Sequence, residues 1–398
     1  MPQSLLPEPK ILGASSFAMG RAYPEWPAGY PKARLTQEYL AGRTSGQLDL
    51  SGRPGSRQAE WQSHPFLVID DDEDGALIRV AQVLGKTDVS VFQDEVSDFP
   101  LVDAHRIESV EDLKSFVAAA GPTRYRVLMT APKALLALRE YLQLVVPVAL
   151  ELMLVGREKH MSRTLNTELG KFFDTVDVVP GVAKSRMLVG SDPKPADRLP
   201  APTEFPQSSV RRSPTEELGD FTVLAHGATF GGTSVDAGSA LLVQALADHR
   251  ADLAERGKDR MLDLGCGNGW LLASATRLLD PREPVGVDIS EFAVESTRAT
   301  LAANGVAARV VQSDAGADLA DGSFDLVLLN PPFHDGAKLT VDPARRMIES
   351  AHRLLKPGGT LVCVFNSVLR HRAVITRVFG QADQWARDRR FTVVTARR

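Results

Sequence analysis

The chain has 398 residues, of which 43% are hydrophobic and 24% are charged. This balance is typical of globular proteins, and the length corresponds to two or three domains of about 150 residues each. The two cysteines, Cys266 and Cys363, are too few for a disulfide framework and too far apart for a metal-ligand pair. The first residues lack the pattern of a signal peptide, and no apolar stretch approaches about 18 residues. We therefore expect a cytoplasmic protein with no membrane span and no bound metal.

The net charge of −4 hides an asymmetry along the chain. Residues 331–398 carry 13 Lys and Arg against 5 Asp and Glu, whereas the first 330 residues carry 33 against 45. A basic carboxyl-terminal segment on an acidic body is typical of a surface that meets a polyanion such as a nucleic acid. A chance group of solvated arginines would have the same composition, so charge alone leaves both interpretations open.

The first 190 residues divide into an irregular arm and an α/β domain. Residues 1–60 contain 14 glycines and prolines and little periodicity, which predicts the irregular arm. In residues 61–190, short apolar runs predict strands, and the leucine spacing of residues 134–142 predicts a helix. The predicted strands are Phe66–Ile69, Val89–Phe92, 125–129 and 152–155. Strands that alternate with helices favour a parallel sheet.

Residues 191–217 contain six prolines, and this composition predicts an extended linker. The alternation of strands and helices resumes over residues 218–398, with Ser290 and Asp342 as predicted helix N-caps. The predicted strands are Arg260–Leu264, 284–287, 308–312, Phe324–Leu329, 360–365 and 391–395, and the predicted helices are Trp270–Leu279, 291–304 and 343–356. Two α/β halves of similar size suggest a duplication in which only the second half carries chemical motifs.

A glycine-rich segment, Gly265-Cys266-Gly267-Asn268-Gly269, joins the first predicted strand of the second half to the following helix. Alternating glycines allow a tight turn and a close approach to a ligand, and the start of a helix offers free N–H groups. The spacing differs from that of dinucleotide-binding loops. With Asp263 two positions upstream, it favours a ligand that has an amino-acid end. A plain strand-to-helix turn would show the same glycines.

Two further acids follow neighbouring predicted strands. Asp288 ends the second strand of this half, where a carboxylate is placed to bind both hydroxyls of a ribose. Asp314 follows the third strand, where an acid or its neighbouring amide can contact the exocyclic amine of an adenine. Both residues could instead be ordinary turn residues, with Ser290 as the helix cap after Asp288.

The segment Asn330-Pro331-Pro332-Phe333-His334 follows the fourth strand. The prolines stiffen a loop at the carboxyl end of a strand, which is where open α/β sheets bind ligands. The Asn330 amide oxygen and the Pro331 carbonyl are two acceptors that could hold a planar –NH2 group, and Phe333 could stack on its ring. His334 is expected to be a surface or orienting group. The alternative is a rigid turn with a buried phenylalanine.

Together these motifs make residues 218–398 resemble the class I S-adenosylmethionine-dependent methyltransferases, because all four follow strand ends at one edge of the sheet. The Asn330–Phe333 segment resembles the loop of the branch that methylates amino groups. The chain is similar in particular to the bacterial ribosomal RNA guanine-N2 methyltransferases of the small-subunit and large-subunit types. That similarity rests on residues 330–336, Lys356-Pro357-Gly358-Gly359, Asn366, residues 389–393 and the upstream segment 230–239.

The resemblance implies two tandem Rossmann-like methyltransferase domains, of which the N-terminal one, residues 61–190, is degenerate and binds RNA. It implies S-adenosylmethionine as cofactor, ribosomal RNA or a ribosomal subunit as partner, and a monomer. The implied catalytic residues are Asn330, Pro331, Pro332 and Phe333. The implied cofactor-binding residues are Phe230, Asp236, Gly238, Asp263, Gly265, Gly267, Gly269, Asp288, Asp314 and Asn330.

Two other functions stay open at this stage. The acceptor could be a DNA adenine or a protein glutamine amide, although glutamine enzymes of this branch usually have a small helical N-terminal domain and a tyrosine where this chain has Phe333. The protein could also be a cofactor-binding RNA assembly factor without activity, an interpretation against which the intact Asn330 and Pro331 argue.

Overall fold

The computed structural model describes residues 30–44, 63–85, 87–96, 104–332, 343–369 and 371–398. The chain divides into two compact units, one ending at Thr203 and the other beginning at Glu204. Each unit contains its own seven-stranded sheet with helices in the connections. The predicted fold class, two tandem α/β domains, is therefore confirmed.

The sheet of the first unit is mostly parallel. Its strands are β1 (Phe66–Ile69), β2 (Val89–Phe92), β3 (His105–Ile107), β4 (Tyr125–Thr130), β5 (Ala149–Arg157), β6 (Phe173–Val182) and β7 (Ser185–Pro193). They lie in the order β3-β2-β1-β4-β5-β7-β6, and β7 runs antiparallel to both of its neighbours. β1 and β2 are buried along their whole length, which explains why they are continuous apolar runs in the sequence.

Five α-helices are described in the first unit. They are α1 (Pro31–Thr44), α2 (Ala76–Gly85), α3 (Val110–Ala119), α4 (Leu135–Val145) and α5 (Arg163–Leu169). α3 begins where the Ser109 hydroxyl accepts a hydrogen bond from the Asp112 backbone N–H at 3.0 Å, the usual N-cap arrangement. α4 buries Leu138, Tyr141 and Leu142 on one face, as the leucine spacing predicts.

The second unit repeats this plan. A separate pair of strands, β8 (Gln207–Arg212) and β9 (Asp220–Ala225), precedes the main sheet. The main sheet contains β10 (Arg260–Leu264), β11 (Glu283–Asp288), β12 (Arg309–Gln312), β13 (Phe324–Leu329), β14 (Leu355–Asn366), β15 (Asp383–Arg387) and β16 (Phe391–Arg397). The helices are α6 (Ala237–Asp248), α7 (Arg250–Arg256), α8 (Trp270–Leu279), α9 (Glu291–Ala303), α10 (Pro343–Leu354) and α11 (His371–Phe379).

The strand order of the main sheet, β12-β11-β10-β13-β14-β16-β15, matches that of the first unit strand for strand. In both sheets the first five strands in this order are parallel. The sixth strand, which is β7 in one unit and β16 in the other, runs antiparallel to both of its neighbours. A shared seven-strand topology supports the duplication that the sequence suggests.

The sequence predicted the strongly apolar elements well. β1, β2, β10, β13 and α8 have the predicted bounds. Ser290 caps α9 as predicted, with its hydroxyl 3.1 Å from the Ala293 backbone nitrogen. Asp342, the other predicted N-cap, lies outside the described residues. The short or polar elements β3, β8 and β15 were not predicted because they lack a continuous apolar run.

The prediction of an irregular arm over residues 1–60 is wrong for residues 31–44, which form α1. Leu35, Tyr39 and Leu40 of this helix are at most 1% exposed and belong to the apolar core of the first unit. Leu35 and Tyr39 are four residues apart, which is a helical spacing, but the helix as a whole lacks an apolar stripe, so periodicity did not reveal it. The rest of the predicted arm lies outside the described residues.

The prediction of an extended linker over residues 191–217 also differs from the structure. β7 continues to Pro193, and β8 (Gln207–Arg212) pairs with β9 in an antiparallel ladder. The division between the two units falls inside this segment, after Thr203. Prolines that lie at the ends of strands, rather than within them, do not prevent pairing, and this is why composition alone was misleading.

The two faces of the main sheet are covered by separate apolar clusters. On one face, Trp270 of α8 is 1% exposed, and its ring lies edge-on to Phe221 of β9 with the ring centroids 6.3 Å apart. On the other face, Ile348 and Leu354 of α10 pack on the sheet. This double cover fixes the strands and leaves the loops at their ends to carry chemistry. Among the described residues, no helix is both long and apolar enough to cross a membrane.

If α1 is part of the first unit's core, its apolar residues stabilise the fold. We expect Leu35→Ala to lower the free energy of unfolding by about 2–5 kcal/mol, the range for a buried leucine. The matched control is Leu136→Ala on α4, because Leu136 is 37% exposed whereas Leu35 is 1% exposed. Urea unfolding of the full chain measures both changes. Equal losses in the two variants would contradict the placement of α1 in the core.

Candidate active site

Four strands of the second unit end side by side and in register. Leu264 at the end of β10 lies opposite both Val287 of β11 and Leu329 of β13. Asp288 of β11 lies opposite Gln312 at the end of β12. The residues that follow these strand ends therefore share the carboxyl edge of the sheet, which is where open α/β sheets bind ligands.

The glycine-rich loop between β10 and α8 is fixed to the next strand. The backbone N–H groups of Gly265 and Cys266 both donate to the Val287 carbonyl, at 2.7 and 2.9 Å. Gly269 has a φ of +76°, and a Cβ there would lie 2.8 Å from the Cα of Thr297 on α9. Gly267 has a φ of +55°, but a Cβ there would meet no atom within 4 Å. The loop is thus closely packed at Gly269 and open at Gly267, where a ligand could approach the backbone.

Asp288 holds this loop in place. One carboxylate oxygen accepts a hydrogen bond from the Gly267 N–H at 2.9 Å, and the other accepts one from the Ser290 N–H at 3.1 Å. Burial raises the pKa of Asp288, and these backbone N–H groups oppose the shift by stabilising the charge. The Ile289 N–H contributes a third such hydrogen bond. A carboxylate has about four acceptor sites, so Asp288 can still accept a hydrogen bond from a ligand hydroxyl. The geometry shows that Asp288 braces the loop, and its contact with a ribose stays a prediction.

Asp263 lies deeper, on β10, and is 1% exposed. Within the part of the chain that the structure describes, neither of its carboxylate oxygens has a hydrogen bond of normal geometry. Burial raises the pKa of Asp263 well above its ordinary value, and the nearby Asp288 raises it further, while the Leu272 backbone N–H lowers it. A buried carboxylate with so little compensation is an unusual cost for a fold. A ligand that brings an ammonium or amide donor would relieve this cost, so the residues present fit the amino-acid end predicted from the sequence.

Asp236 connects the upstream segment to the loop after β13. It is the N-cap of α6, and its Oδ2 accepts a hydrogen bond from the Ser239 N–H at 2.9 Å. The same oxygen accepts a second hydrogen bond from the Asn330 amide nitrogen at 2.8 Å, and the Ser239 hydroxyl lies 3.0 Å from that nitrogen. A carboxylate can only accept, so the NH2 side of the Asn330 amide must face Asp236.

The consequence is that the Asn330 amide oxygen points away from Asp236. This Oδ1 atom is buried, and it has no hydrogen-bond partner among the described residues. Pro331 is buried beside it, and Pro332 is exposed. Phe333 and His334 lie outside the described residues. The structure thus contains an oriented acceptor without a donor at the end of β13, as expected of a site that receives a ligand amine.

The segment before α6 is tied to the glycine-rich loop by Asn268. Its amide nitrogen donates to the Gly232 and Ser234 carbonyls, at 2.8 and 3.0 Å, and its amide oxygen accepts from the Trp270 N–H at 3.1 Å. Phe230, two residues before Gly232, is 65% exposed. A Cβ on Gly238 would lie 3.0 Å from the Asp236 carboxylate, so a side chain there would press on that carboxylate.

Sequence reasoning did not identify Asn268 and Ser239 as functional residues. Asn268 was only a spacer between glycines, and Ser239 was the last residue of the upstream segment. The available signal was the residue type, because Asn after a turn and Ser in the first turn of a helix often bind backbone or side-chain groups. Their partners, however, lie more than 30 residues away in the sequence.

Asp314 lies at the same edge but outside this network. It forms an ion pair with Arg346 of α10, with 2.8 Å between Oδ1 and Nη2, and both side chains are partly exposed. The predicted adenine contact would have to coexist with this pair. Across the described ranges, no group of three or more His, Cys, Asp or Glu side chains is arranged to hold a metal ion.

The chain is similar to known ribosomal RNA methyltransferases. Residues 220–395 match the family described as Methyltransferase small domain. Over 285 residues the chain is 35% identical to a ribosomal RNA large subunit methyltransferase G of Streptomyces coelicolor, which covers 69% of this chain and 72% of that protein. Over 200 residues it is 36% identical to a ribosomal RNA small subunit methyltransferase C of Serratia proteamaculans, which covers 50% of this chain and 54% of that protein. The chain thus spans about half the length of the small-subunit relatives that it matches.

One solved structure has the same fold over nearly the whole chain. It is the 16S rRNA N2 G1207 methyltransferase of Thermus thermophilus in complex with AdoMet and guanosine. The TM-score is 0.71, the alignment covers 93% of each chain, and the sequences are 20% identical. At this level of identity the likeness concerns the fold.

The glycine-rich loop allows a test that separates packing from ligand contact. We expect Gly269→Ala to lower the free energy of unfolding by more than the roughly 1–2 kcal/mol of left-handed strain, because its Cβ also meets the α9 backbone. Gly267→Ala should cost only the strain, because its Cβ meets no protein atom, yet it should weaken ligand binding. Thermal unfolding and calorimetric titration measure the two effects. Similar stabilities for the two variants would contradict the packing described at Gly269.

The buried Asp263 predicts a pH dependence of stability. In the unfolded chain this carboxyl has a pKa of about 3.9, whereas burial raises its pKa in the native state. Its contribution to stability therefore falls as the pH rises from the unfolded value through the raised native value. We expect Asp263→Asn to stabilise the ligand-free protein at about pH 7, and the gain to shrink toward about pH 4. Urea unfolding across this range measures the gain, with Asp220→Asn at an exposed position as control. A less stable Asp263→Asn protein at neutral pH would contradict this account.

Proposed function

This chain belongs to the family of bacterial ribosomal RNA methyltransferases that includes the Streptomyces coelicolor relative, and from this membership we propose that it transfers a methyl group to the N2 amine of a guanine in ribosomal RNA. S-adenosylmethionine is the proposed methyl donor. The observation that carries the proposal is the Asn330 amide, whose oxygen is buried without a partner among the described residues while its nitrogen is held by Asp236. A fixed acceptor at this position is suited to a planar amine.

The residues proposed to hold the donor are those of the carboxyl edge. The open backbone at Gly267 and the glycine-rich turn would receive its amino-acid end, with the buried Asp263 carboxylate facing its positive charge. Asp288 would bind the ribose through a remaining lone pair while it keeps the loop in position. Phe230, Gly238 and Asp314 are proposed to complete this site. When bound, the donor supplies a methyl group on a sulfonium, which is already activated and requires no strong base.

The chain's own contribution to the reaction is orientation and electrostatics. Asn330 Oδ1 and the Pro331 carbonyl would accept the two N–H bonds of the guanine amine, which fixes the direction of its lone pair. As the amine becomes positively charged during transfer, the same two oxygens would stabilise that charge. Asp236 and Ser239 keep the Asn330 amide from turning, so they act as positioning residues. Pro332 stiffens the loop, and Phe333 is proposed to stack on a base extruded from the RNA.

The first unit has an acidic turn where the second unit has its glycine-rich loop. At the end of β1, where the second unit has its glycine-rich loop, the first unit has acidic residues that bind its own backbone. Asp71 accepts hydrogen bonds from the Glu73 and Ile78 N–H groups, at 2.9 and 3.0 Å. Glu73 accepts from the N–H groups of Lys32 and Ala33 at the start of α1. We propose that this unit binds RNA and not cofactor. Cofactor binding at this edge is disfavoured because Asp71 is occupied by its own loop and Glu73 by the start of α1.

Other acceptors are less well supported. A DNA adenine or a protein glutamine amide would fit the same pair of oxygens, but the relatives described above carry ribosomal RNA in their names. An assembly factor without activity would have no need for an oriented Asn330. Incubation with labelled donor and separated RNA, DNA and protein fractions distinguishes these cases. A monomeric state and a cytoplasmic location accompany the proposal as predictions.

The role of Asn330 can be tested directly. We expect Asn330→Ala to lower kcat by about 10²–10³, since it removes one acceptor from the site of developing charge. Donor affinity, measured by calorimetry, should change little. Ser239→Ala should cause a smaller loss by freeing the amide to turn, and Gln244→Ala on the surface of the same helix is the control. Full activity of Asn330→Ala on ribosomal RNA would refute the mechanism.

A further inference from the structure

A turn rich in arginine lies at the same edge of the sheet as Asn330. β16 runs antiparallel to β14, with Phe391 opposite Asn366, whereas β14 runs parallel to β13. The start of β16 is therefore at the carboxyl edge, beside the end of β14 and two strands away from the end of β13. The turn that enters β16 consists of Arg387, Asp388, Arg389 and Arg390, and all four residues are exposed.

A short series of contacts connects this turn to Asn330. A Cβ placed on Gly238 would lie 3.2 Å from the Phe391 ring. The ring therefore packs directly on the first turn of α6. Asp236, the N-cap of that helix, holds the Asn330 amide. On the other side, the Arg390 carbonyl accepts a hydrogen bond from the Ser367 N–H at 2.7 Å. The arginine turn is thus fixed beside the acceptor site by packing and hydrogen bonds.

The positive charges of this turn are available to a ligand. Among the described residues, none of the three guanidinium groups forms an ion pair. The only carboxylate within the turn, that of Asp388, accepts hydrogen bonds from the N–H groups of Arg390 and Phe391, at 2.7 and 2.6 Å. These bonds, together with the nearby Arg390, lower the pKa of Asp388. Asp388 therefore shapes the turn, and the turn as a whole keeps an excess of positive charge.

An exposed apolar side chain adjoins these arginines. Val368 follows Ser367 and is 83% exposed, the largest exposure among the big apolar residues described. The Asn366 side chain holds it in place through a hydrogen bond to the Val368 N–H at 3.2 Å. Arginines beside an apolar contact point favour a ligand that combines phosphates with flat bases.

We infer that the arginines of the turn 387–390 bind the phosphate backbone of the RNA strand next to the nucleotide in the active site, and that Val368 contacts a base of the same strand. This inference rests on the proposed function and adds the element that receives the strand. Guanidinium groups bind phosphate oxygens in a bidentate manner, and each phosphate contact releases a counterion from the RNA. The location also follows from the reaction, since an extruded base remains joined to phosphates on both sides.

The test uses the double variant Arg387→Gln, Arg389→Gln in the full chain. Arg390 is left intact because its guanidinium lies over the Phe391 ring, 5.3 Å from the centroid, and helps to pack the site. Binding of a labelled ribosomal RNA fragment is measured by fluorescence anisotropy from about 50 to 200 mM salt, without donor. We expect a dissociation constant at least about tenfold higher near 0.1 M salt and a log–log salt slope reduced in magnitude by about 1.4, for two lost contacts.

Arg397→Gln is the matched control. Arg397 is an exposed arginine on the same strand, but it pairs with Thr360 at the opposite edge of the sheet. The Arg397→Gln substitution removes a positive charge far from the acceptor edge. We expect it to keep the dissociation constant for RNA within about twofold of the wild type and to reduce the salt slope only slightly. A double variant with the affinity and salt slope of the wild type would overturn the inference, as would equal losses in the control.

Methyl transfer measured on the same proteins separates this inference from the proposed function. Weaker binding in the double variant supports the surface whether or not the wild type methylates RNA, because the binding assay contains no donor. If the wild type methylates RNA and the double variant has the same KM and affinity, the surface is wrong and the function stands. If the wild type binds no RNA, both fail. Val368→Ser should raise the KM for RNA without changing donor affinity.

Discussion

The organisation of the candidate site depends on one carboxylate oxygen. Asp236 Oδ2 accepts a backbone N–H at the start of α6 and the amide nitrogen of Asn330 at the end of β13. The first bond fixes the helix, and the second fixes which face of the Asn330 amide is presented to a ligand. Because a carboxylate oxygen accepts hydrogen bonds and cannot donate one, it binds the NH2 side of the Asn330 amide and leaves Oδ1 pointing away from Asp236. The same atom thereby stabilises the fold and orients the group proposed to bind the amine.

The rest of the edge is organised in the same way. Asp288 of β11 accepts a hydrogen bond from the Gly267 N–H of the glycine-rich loop. Asn268 of the same loop donates to the Gly232 carbonyl in the segment before α6. Each holds backbone groups from a different part of the chain. Preorganisation of this kind is what methyl transfer from an activated donor requires, because the reaction depends on alignment more than on acid–base chemistry. Asp263, by contrast, has little hydrogen-bond compensation, and its raised pKa marks the position where a charged ligand would be most stabilising.

The two units share one strand topology but differ at the turn that follows β1 in one unit and β10 in the other. Both have the same order of seven strands. For this reason β1 in the first unit and β10 in the second each end near the centre of a sheet edge. In the second unit this position has glycines, and the backbone is open to a ligand. In the first unit it has Asp71 and Glu73, which accept N–H groups of their own loop and of α1. The scaffold is common to both units, and the two differ in the residues at this one turn.

From the sequence alone, the buried strands, the long helices, the glycine-rich loop and the Asn330-Pro331 motif could be identified, because each is a pattern among neighbouring residues. The sequence did not reveal α1 among glycines and prolines, the polar strand β8, or the place of the arginine turn beside the site. Nor did it show that Asp236 and Asn330, 94 residues apart, share a hydrogen bond. These features depend on which strands become neighbours, and strand order is set by packing of the whole sheet rather than by any local run of residues.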